Sequence, residues 1–313
     1  MFIHNIDPVL LKIYSLPLVG TIEIRYYGVL YAVGIMCGFF MIQSLFKRKG
    51  YSEEICSRLV LYIILGLILG AHYTHIIFYE PQSIFNNPIR LLQLGRGLSS
   101  HGGFIGAIIA LIFFRRRMQK GEPSRIGKLL AGKTKQGVRP FDYTTAAKIS
   151  SLEYLDMITI GGALLVPFIR LGNFFNSEIV GRIIPRVNGI PDSPFAVAFK
   201  RLRENYGKLK NELIYRHPSQ LYEMILGIAI FLVLFFFFRK FHARIKHGTI
   251  FSGFTILYFT SRFMIEYIKE YQIVSAAFPF TMGQMLSIPL VLLGAFMYIK
   301  KKYYQLEAAN PEA

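Results

Sequence analysis

Arg170, Arg262 and His101 are the residues of this 313-residue chain whose types are best suited to chemistry on a phosphate. Each arginine stands at or near the end of a long apolar run, where a guanidinium can bind a phosphate through charge-assisted and often bidentate hydrogen bonds. His101 precedes a third apolar run, and an imidazole can act as a base near neutral pH. These residue types predict a site for an anionic, phosphate-containing amphiphile, but they do not define a reaction.

The elements that must position these residues are apolar runs long enough to cross a membrane. Hydrophobic residues make up 53% of the chain and charged residues only 17%, which excludes a soluble globular protein and a disordered chain. A membrane helix needs about 20 apolar residues, and the runs lack the alternation of a β-barrel. The sequence therefore predicts an all-α polytopic membrane protein with seven transmembrane helices, at about 27–46, 59–79, 102–114, 152–169, 218–238, 249–268 and 283–299.

The distribution of basic residues orients these helices. The chain carries 36 Lys and Arg against 18 Asp and Glu, and most of the basic residues are grouped after alternate spans, at 47–49, 115–150, 239–246 and 300–302. The positive-inside rule then places the N-terminus outside and the C-terminus in the cytoplasm. Segment 170–216 must lie outside although it holds nine Lys and Arg, and its length weakens the charge signal.

The connecting segments complete the predicted organisation. Residues 1–299 form the membrane domain and 300–313 a cytoplasmic tail, while the proline-containing segment 182–216 forms a small outer head. The basic loop 115–150 either lies on anionic head groups or is a solvated topology signal. Cys37 and Cys56 are too few for a disulfide framework, and no cleavable signal peptide is expected at the start.

Polar residues from seven different segments fall on the outer side of this topology. Besides His101, Arg170 and Arg262 they are Tyr26, Tyr27, His72, His75, Asn173, Asn176, Glu178, His217, Gln220, Tyr222, Glu223, Glu266 and Gln284. Polar groups within a membrane are costly and mark a pathway, a site or a paired structural lock. Their convergence favours one shared site at the outer leaflet.

Each of these residues also has a purely structural interpretation. Arg262 and Glu266 are four residues apart and can neutralise each other on one helix face. His101, next to two glycines, can belong to a turn, and His72 and His75 can donate hydrogen bonds within a helix bundle. The three Gly-x-x-x-Gly pairs at 34/38, 66/70 and 102/106 indicate close helix packing rather than chemistry.

The segment Arg-Leu-Gly-Asn-Phe-Phe-Asn-Ser-Glu-Ile-Val-Gly at residues 170–181 closely resembles the signature of the prolipoprotein diacylglyceryl transferase family. Further matches follow in order along nearly the whole chain, at Tyr27-Gly28, His101-Gly102-Gly103, His217 to Glu223, Arg262 with Glu266, and Met282-Gly283-Gln284. Ile169 stands where the family usually has glycine, and Gly70-Ala71-His72 where it commonly has Gly-Gly-Arg. Whether His72 replaces that arginine is open.

The resemblance implies transfer of the diacylglyceryl group of phosphatidylglycerol to the lipobox cysteine of a prolipoprotein signal peptide. The products are a thioether and glycerol 1-phosphate. The family's topology has seven spans with the N-terminus outside, in the bacterial cytoplasmic (inner) membrane, with the active site towards the extracytoplasmic leaflet. We expect membrane lipids as partners, no nucleic acid, and neither a metal nor an organic cofactor, because the phosphodiester itself activates the donor.

Carried over to this sequence, the resemblance assigns roles to individual residues. His101 is the expected base, and Arg170 and Arg262 are expected to bind the phosphate and stabilise the leaving group. The expected phosphatidylglycerol-binding set is Tyr27, Arg170, Asn173, Asn176, Glu178, Gly181, Arg262 and Glu266. Within it, Glu266 would orient Arg262, and Gly181 would allow close backbone approach.

Two other functions compete with this interpretation. A transporter or channel would carry polar groups through the midplane into the cytoplasmic half, where spans 1, 5 and 7 have few. A non-catalytic lipid-binding scaffold would not need a histidine beside two arginines. A transfer assay with phosphatidylglycerol and a lipobox peptide separates both from the transferase.

Overall fold

The computed structural model describes residues 1–16, 20–93, 99–121, 141–270 and 279–309, without the side chains of 13–16, 20–22, 79, 100, 101, 282 and 301–309. Most of this backbone is helical. The α-helices are α1 (Tyr26–Arg48), α2 (Glu53–Tyr79), α3 (Ser83–Asn86), α4 (Ser100–Lys120), α5 (Tyr143–Lys148), α6 (Ser151–Phe175), α7 (Ser219–Phe241), α8 (Thr249–Ile265) and α9 (Met282–Ala309).

Five of these helices are long and apolar enough to cross a membrane. Their apolar stretches are Tyr26–Arg48, Glu53–Phe78, Ser151–Phe175, Ser219–Phe241 and Gly283–Lys300. Helix α8 is apolar but has only 17 residues, and the last third of α4 carries Arg115, Arg116 and Arg117. The prediction of a helical, multi-pass membrane protein is confirmed at this level, and each predicted span falls on a helix.

Two helices extend beyond the apolar runs that the sequence predicts as spans. Helix α2 begins at Glu53, before the predicted start at 59, because the Ser52 side chain accepts a hydrogen bond from the Ile55 amide at 3.3 Å and caps the helix. Helix α6 continues to Phe175, past the predicted end at 169. Arg170 and Asn173 therefore lie within the last two turns of a helix, three residues apart and on one face, rather than in a loop after it.

Residues 41–158 form one of two compact units, in which α2 and α4 pack on their glycines. A Cβ at Gly106 would overlap the Gly66 carbonyl oxygen and lie 2.9 Å from the Gly70 Cα atom, and a Cβ at Gly66 would lie 2.5 Å from the Ala110 Cβ. The two backbones approach so closely that no side chain fits between them. The predicted role of these glycine pairs in helix packing is confirmed.

Residues 1–40 and 159–313 form the other unit. Here α1 meets α6 at Gly34 and Gly38, where a Cβ on Gly38 would lie 3.0 Å from the Gly161 carbonyl oxygen. This unit contains Arg170, Arg262 and all the polar residues that contact them in the described part of the chain. It therefore holds the candidate site.

The same unit carries a small sheet made mainly by segment 182–216. Its strand order is β1 (Phe2–His4), β7 (Val197–Phe199), β8 (Tyr215–Arg216) and β4 (Ile183–Ile184), with β1 parallel to β7 and the other pairs antiparallel. Two separate hairpins pair β2 (Val9–Leu16) with β3 (Gly20–Arg25), and β5 (Arg186–Val187) with β6 (Ile190–Pro191). The sequence did not predict that residues 2–4 complete this sheet.

Candidate active site

The loop that follows α6 is held by the first turn of α7. The backbone takes positive φ at Ser177 (56°) and Ile179 (54°), a costly conformation for residues other than glycine. The Ser219 hydroxyl donates to the Ile179 carbonyl oxygen at 2.6 Å, and the Gln220 amide donates to the Glu178 carbonyl oxygen. These bonds fix the loop immediately beyond Arg170 and Asn173.

Gly181 ends this loop at a point of close backbone contact. Its amide donates to the His217 carbonyl oxygen at 2.8 Å, and the Arg182 amide donates to the Ile268 carbonyl oxygen at 2.8 Å. A Cβ at Gly181 would lie 2.6 Å from the His217 Cβ atom and 2.9 Å from the Ile268 carbonyl oxygen. Only glycine fits there, as expected for close approach, and the contact joins the loop to the segments before α7 and after α8.

Glu223 lies at the centre of a buried ionic cluster. Its Oε2 atom is 2.7 Å from Arg170 Nε, its Oε1 atom is 2.5 Å from Lys269 Nζ, and Arg262 Nη1 lies 4.0 Å from Oε1. Glu223, Arg170 and Lys269 are all buried. Removing one partner of such a group leaves an uncompensated charge and costs about 3–5 kcal/mol.

The second carboxylate of the cluster belongs to Glu266. Its Oε2 atom lies 3.7 Å from Lys269 Nζ, and a Cβ at Gly283 would lie 2.6 Å from its carboxyl carbon. In the described ion pairs Arg262 pairs with Glu223, and Glu266 pairs with Lys269. These two ion pairs differ from the predicted one, which joined Glu266 directly to Arg262.

Amide side chains extend the cluster from Arg170 to Glu178. Arg170 Nη1 donates to Asn173 Oδ1 at 3.5 Å, and Asn173 Nδ2 donates to Glu178 Oε2 at 3.4 Å. Asn176 Nδ2 donates to Glu178 Oε1 at 3.1 Å. The signature segment thus forms a hydrogen-bonded chain that orients the guanidinium from one side.

One tyrosine contacts the Arg170 guanidinium, and another packs against the helix that carries Arg170. Arg170 Nη2 donates to the Tyr258 hydroxyl at 3.5 Å. The Tyr27 ring lies against Gly172, where a Cβ would meet its Cδ2 atom at 2.8 Å. Tyr258 was not predicted as a site residue, although it stands one helical turn before Arg262, a spacing that would have indicated it.

A narrow, partly open cleft adjoins the cluster. Glu223, Tyr258 and Arg262 supply its polar lining, and Leu226, Ile230 and Ile265 supply much of its apolar lining. The cleft lies along α7 and α8, with charged groups and apolar side chains on the same wall. It has the chemical character needed for the junction of an anionic head group and an acyl chain.

Not all of the predicted site residues can be compared with this cluster. The structure brings together Arg170, Asn173, Asn176, Glu178, Arg262 and Glu266, with Tyr27 and Gly181 at its edges. The side chain of His101 lies outside the described residues, and its backbone begins α4, where the Ser99 hydroxyl accepts from the Gly102 amide at 3.3 Å. His72, in the other unit, is buried with Nε2 3.1 Å from the Leu91 carbonyl oxygen.

Lys269 was not predicted as a site residue, and no role in the site was predicted for Glu223. Glu223 stands at the start of an apolar run in the sequence, but the sequence does not show that its carboxylate pairs with Arg170 and Lys269. Burial lowers the pKa of Lys269, an effect that Glu223 opposes and that Arg262 and Arg170 reinforce. These residues turn a pair of arginines into a compact charged site.

Comparison with known proteins gives one consistent result. A family model described as prolipoprotein diacylglyceryl transferase matches residues 14–131 and 139–300. A phosphatidylglycerol–prolipoprotein diacylglyceryl transferase of Tolumonas auensis is 32% identical over 301 residues, covering 96% of this chain and 97% of the relative. Proteins of the same name from Chloroherpeton thalassium (32% identical, 93% of each chain) and Bacteroides fragilis (30% identical, 90% of this chain and 91% of the relative) are also similar.

Proposed function

The chain belongs to the prolipoprotein diacylglyceryl transferase family, and on that premise we propose that it transfers the diacylglyceryl group of phosphatidylglycerol to the cysteine thiol of a prolipoprotein. This transfer is the first step of lipoprotein maturation. The observation that carries the proposal is the cluster of buried Arg170, Glu223 and Lys269 with partly buried Arg262, beside an apolar-walled cleft. Such a cluster suits a lipid phosphate held at the end of an acyl-chain path.

The reaction is a displacement at an sp3 carbon. The cysteine sulfur forms a bond to the terminal glyceryl carbon of the diacylglyceryl group, while the bond from that carbon to the phosphate oxygen breaks. The electron pair leaves with the phosphate as glycerol 1-phosphate, and the thiol proton goes to a base. Because a free thiol has a pKa of about 8.5, only a few per cent is ionised at pH 7 and a base increases the reactive fraction.

Arg170 and Arg262 are proposed to bind the phosphate and stabilise the charge that develops on it. Arg170 is held by Glu223 on one side and by Asn173 on the other, so its guanidinium is oriented before substrate arrives. Its Nε atom faces the Glu223 carboxylate at 2.7 Å, whereas its two Nη atoms make only long contacts of 3.5 Å, to Asn173 and Tyr258, which leaves them able to donate to an anion. Preorganised donors of this kind contribute several kcal/mol to transition-state stabilisation.

The remaining members of the predicted set are proposed to shape the head-group pocket. Asn173, Asn176 and Glu178 form the hydrogen-bonded chain beside Arg170, where the glycerol hydroxyls can exchange into it. Tyr27 lies against the helix that carries Arg170 and supplies a phenol, and Glu266 acts through Lys269. His101 remains the proposed base, supported by its place in the His-Gly-Gly motif at the start of α4.

We further propose that the protein crosses the bacterial inner membrane seven times, with the N-terminus outside. The five apolar helices supply five crossings, and α4 and α8 supply the third and sixth. The basic residues at the ends of α1, α4 and α7 favour a cytoplasmic position for those ends. On this topology the ionic cluster faces the extracytoplasmic leaflet, where the lipobox of a translocated precursor becomes accessible.

A direct assay tests the proposed reaction. Purified protein is incubated with phosphatidylglycerol vesicles and a peptide that contains a lipobox cysteine, and the peptide is analysed by mass spectrometry. We expect a diacylglyceryl mass increase on the cysteine peptide and none on the matched peptide with serine in its place. Folded protein that leaves the cysteine peptide unchanged would favour a transporter or lipid-binding scaffold.

A further inference from the structure

Lys269 is a buried cation placed between two carboxylates. Its Nζ atom lies 2.5 Å from Glu223 Oε1 and 3.7 Å from Glu266 Oε2, and only 6% of the residue is exposed. The backbone around it is fixed, since Lys269 forms a β-bridge with Gly181 and its carbonyl oxygen accepts from Arg182 Nε at 3.2 Å. The ammonium therefore has a defined position between the two carboxylates.

The formal charges of the cluster do not cancel. Arg170, Arg262 and Lys269 contribute three positive charges, and Glu223 and Glu266 contribute two negative charges, which leaves an excess of +1. Glu178, the next carboxylate, is exposed and is held by the amides of Asn173 and Asn176. A phosphodiester carries a single negative charge, which this excess matches.

We propose that Lys269 is a positioning residue that supplies this excess charge, by compensating Glu223 and Glu266 so that Arg170 and Arg262 can bind the phosphodiester. The inference rests on the proposed function for the identity of the lipid. It gives Lys269 a role through the two carboxylates and not through direct contact with the reacting atoms.

The reason lies in the low dielectric of a buried site. Without Lys269, two carboxylates would face two guanidinium groups, and the cluster would be neutral. An entering phosphodiester would then have to compete with Glu223 and Glu266 for the arginines, and it would meet like-charge repulsion from both. Lys269 removes that competition while leaving the carboxylates in place to orient the arginines.

Charge variants test this role independently of turnover. The binding of phosphatidylglycerol is measured by native mass spectrometry in detergent, with uncharged diacylglycerol as the reference ligand, alongside KM and kcat for transfer. We expect Lys269→Gln to weaken phosphatidylglycerol binding and raise its KM by about tenfold or more, with a smaller effect on kcat and none on diacylglycerol binding. Lys269→Arg should stay within about threefold of the wild type, because it keeps the charge.

The double variant Lys269→Gln/Glu266→Gln separates charge balance from structural support. It removes one positive and one negative charge and returns the excess to +1, so binding should recover to within about threefold of the wild type. Lys210→Gln is the matched control, because Lys210 is exposed in a 3₁₀ turn of the outer head and should not change binding. Thermal unfolding of each variant in detergent verifies that it is folded.

Three results would overturn the inference. They are unchanged binding in Lys269→Gln, a double variant no better than the single one, and a wild-type protein that binds phosphatidylglycerol no more tightly than diacylglycerol. A wild-type protein that binds phosphatidylglycerol with the expected charge dependence but transfers nothing would instead contradict the proposed function and leave the role of Lys269 intact.

Discussion

Glu223 determines how the cations of the site are arranged, because a single carboxylate lies next to all three. It contacts Arg170 from α6 and Lys269 from the segment after α8, with Arg262 of α8 at 4.0 Å. Burial makes these contacts stronger than surface ion pairs and makes the loss of any partner costly. At the scale of residues, the site is a preorganised set of charges and not two isolated arginines.

His101 is the residue whose proposed role most needs a test of its own. If it accepts the thiol proton, His101→Gln should lower the transfer rate by about 10²–10⁴-fold, while KM for phosphatidylglycerol changes little. The variant should also lose the rise in rate on deprotonation of an imidazole near neutral pH. Initial rates measured between pH 5 and 9 test both effects, with His242→Gln, after the end of α7, as the control.

Near-normal transfer by His101→Gln across this pH range would exclude His101 as the base. The thiolate would then have to form beside the arginines, whose positive charge favours ionisation of a nearby thiol.

At the scale of elements, the close packing of α2 against α4 depends on glycine. Gly106→Ala would place a methyl group against the Gly66 carbonyl oxygen and 2.9 Å from the Gly70 Cα atom, both of them backbone atoms that cannot move aside individually. We expect a loss of about 1–3 kcal/mol in stability and a lower unfolding temperature in detergent. Gly162→Ala is the control, because nothing lies within 4 Å of its added Cβ.

Gly162→Ala should be neutral or slightly stabilising, since alanine favours a helix interior over glycine. If both alanine variants unfold at the same temperature, the close contact of α2 and α4 does not contribute to the stability of the protein.

The four-stranded sheet of β1, β7, β8 and β4 should lose stability as pH falls through the range of histidine titration. His4 is buried between Phe174 and Phe199, with ring centroids 4.6 and 5.4 Å away, and its Nδ1 atom lies 3.3 Å from the Ser177 hydroxyl. Burial, and secondarily the charge of Arg201, lower its pKa below the ordinary value of 6.5. His4 therefore binds a proton more readily in the unfolded sheet than in the folded one. The free energy of unfolding of the sheet is highest above about pH 6.5 and declines as the pH falls below that value.

Hydrogen exchange of the amides at residues 197–199 measures this effect. Protection should decrease between about pH 7 and 5 in the wild type, after correction for intrinsic exchange rates, and the decrease should be smaller in His4→Gln. Glu204, which pairs with Arg216 and has a pKa lowered by that hydrogen-bonded pair, responds at lower pH. An identical pH dependence in His4→Gln would show that His4 does not contribute.

At the scale of the whole molecule, the sequence predicted the helices and the family but not the pairing inside the site. Continuous apolar runs and charge bias depend only on local composition, and the signature at 170–181 is long enough to identify by inspection. The pairing of Glu223 with Arg170 and Lys269 depends on tertiary contacts between segments that are about 50 residues apart in sequence. The extension of α6 through Arg170 was missed because polar residues end an apolar run without ending a helix.

In the proposed reaction, Arg170 and Arg262 bind the phosphate of phosphatidylglycerol while the diacylglyceryl group moves to the thiol. The most direct test measures the thioether peptide and released glycerol 1-phosphate together, for the wild type and for folded Arg170→Ala. We expect the wild type to release one glycerol 1-phosphate for each thioether formed, and Arg170→Ala to form both products at least about 10²-fold more slowly. Equal rates for the two proteins, or thioether formation by the wild type without glycerol 1-phosphate, would contradict the account.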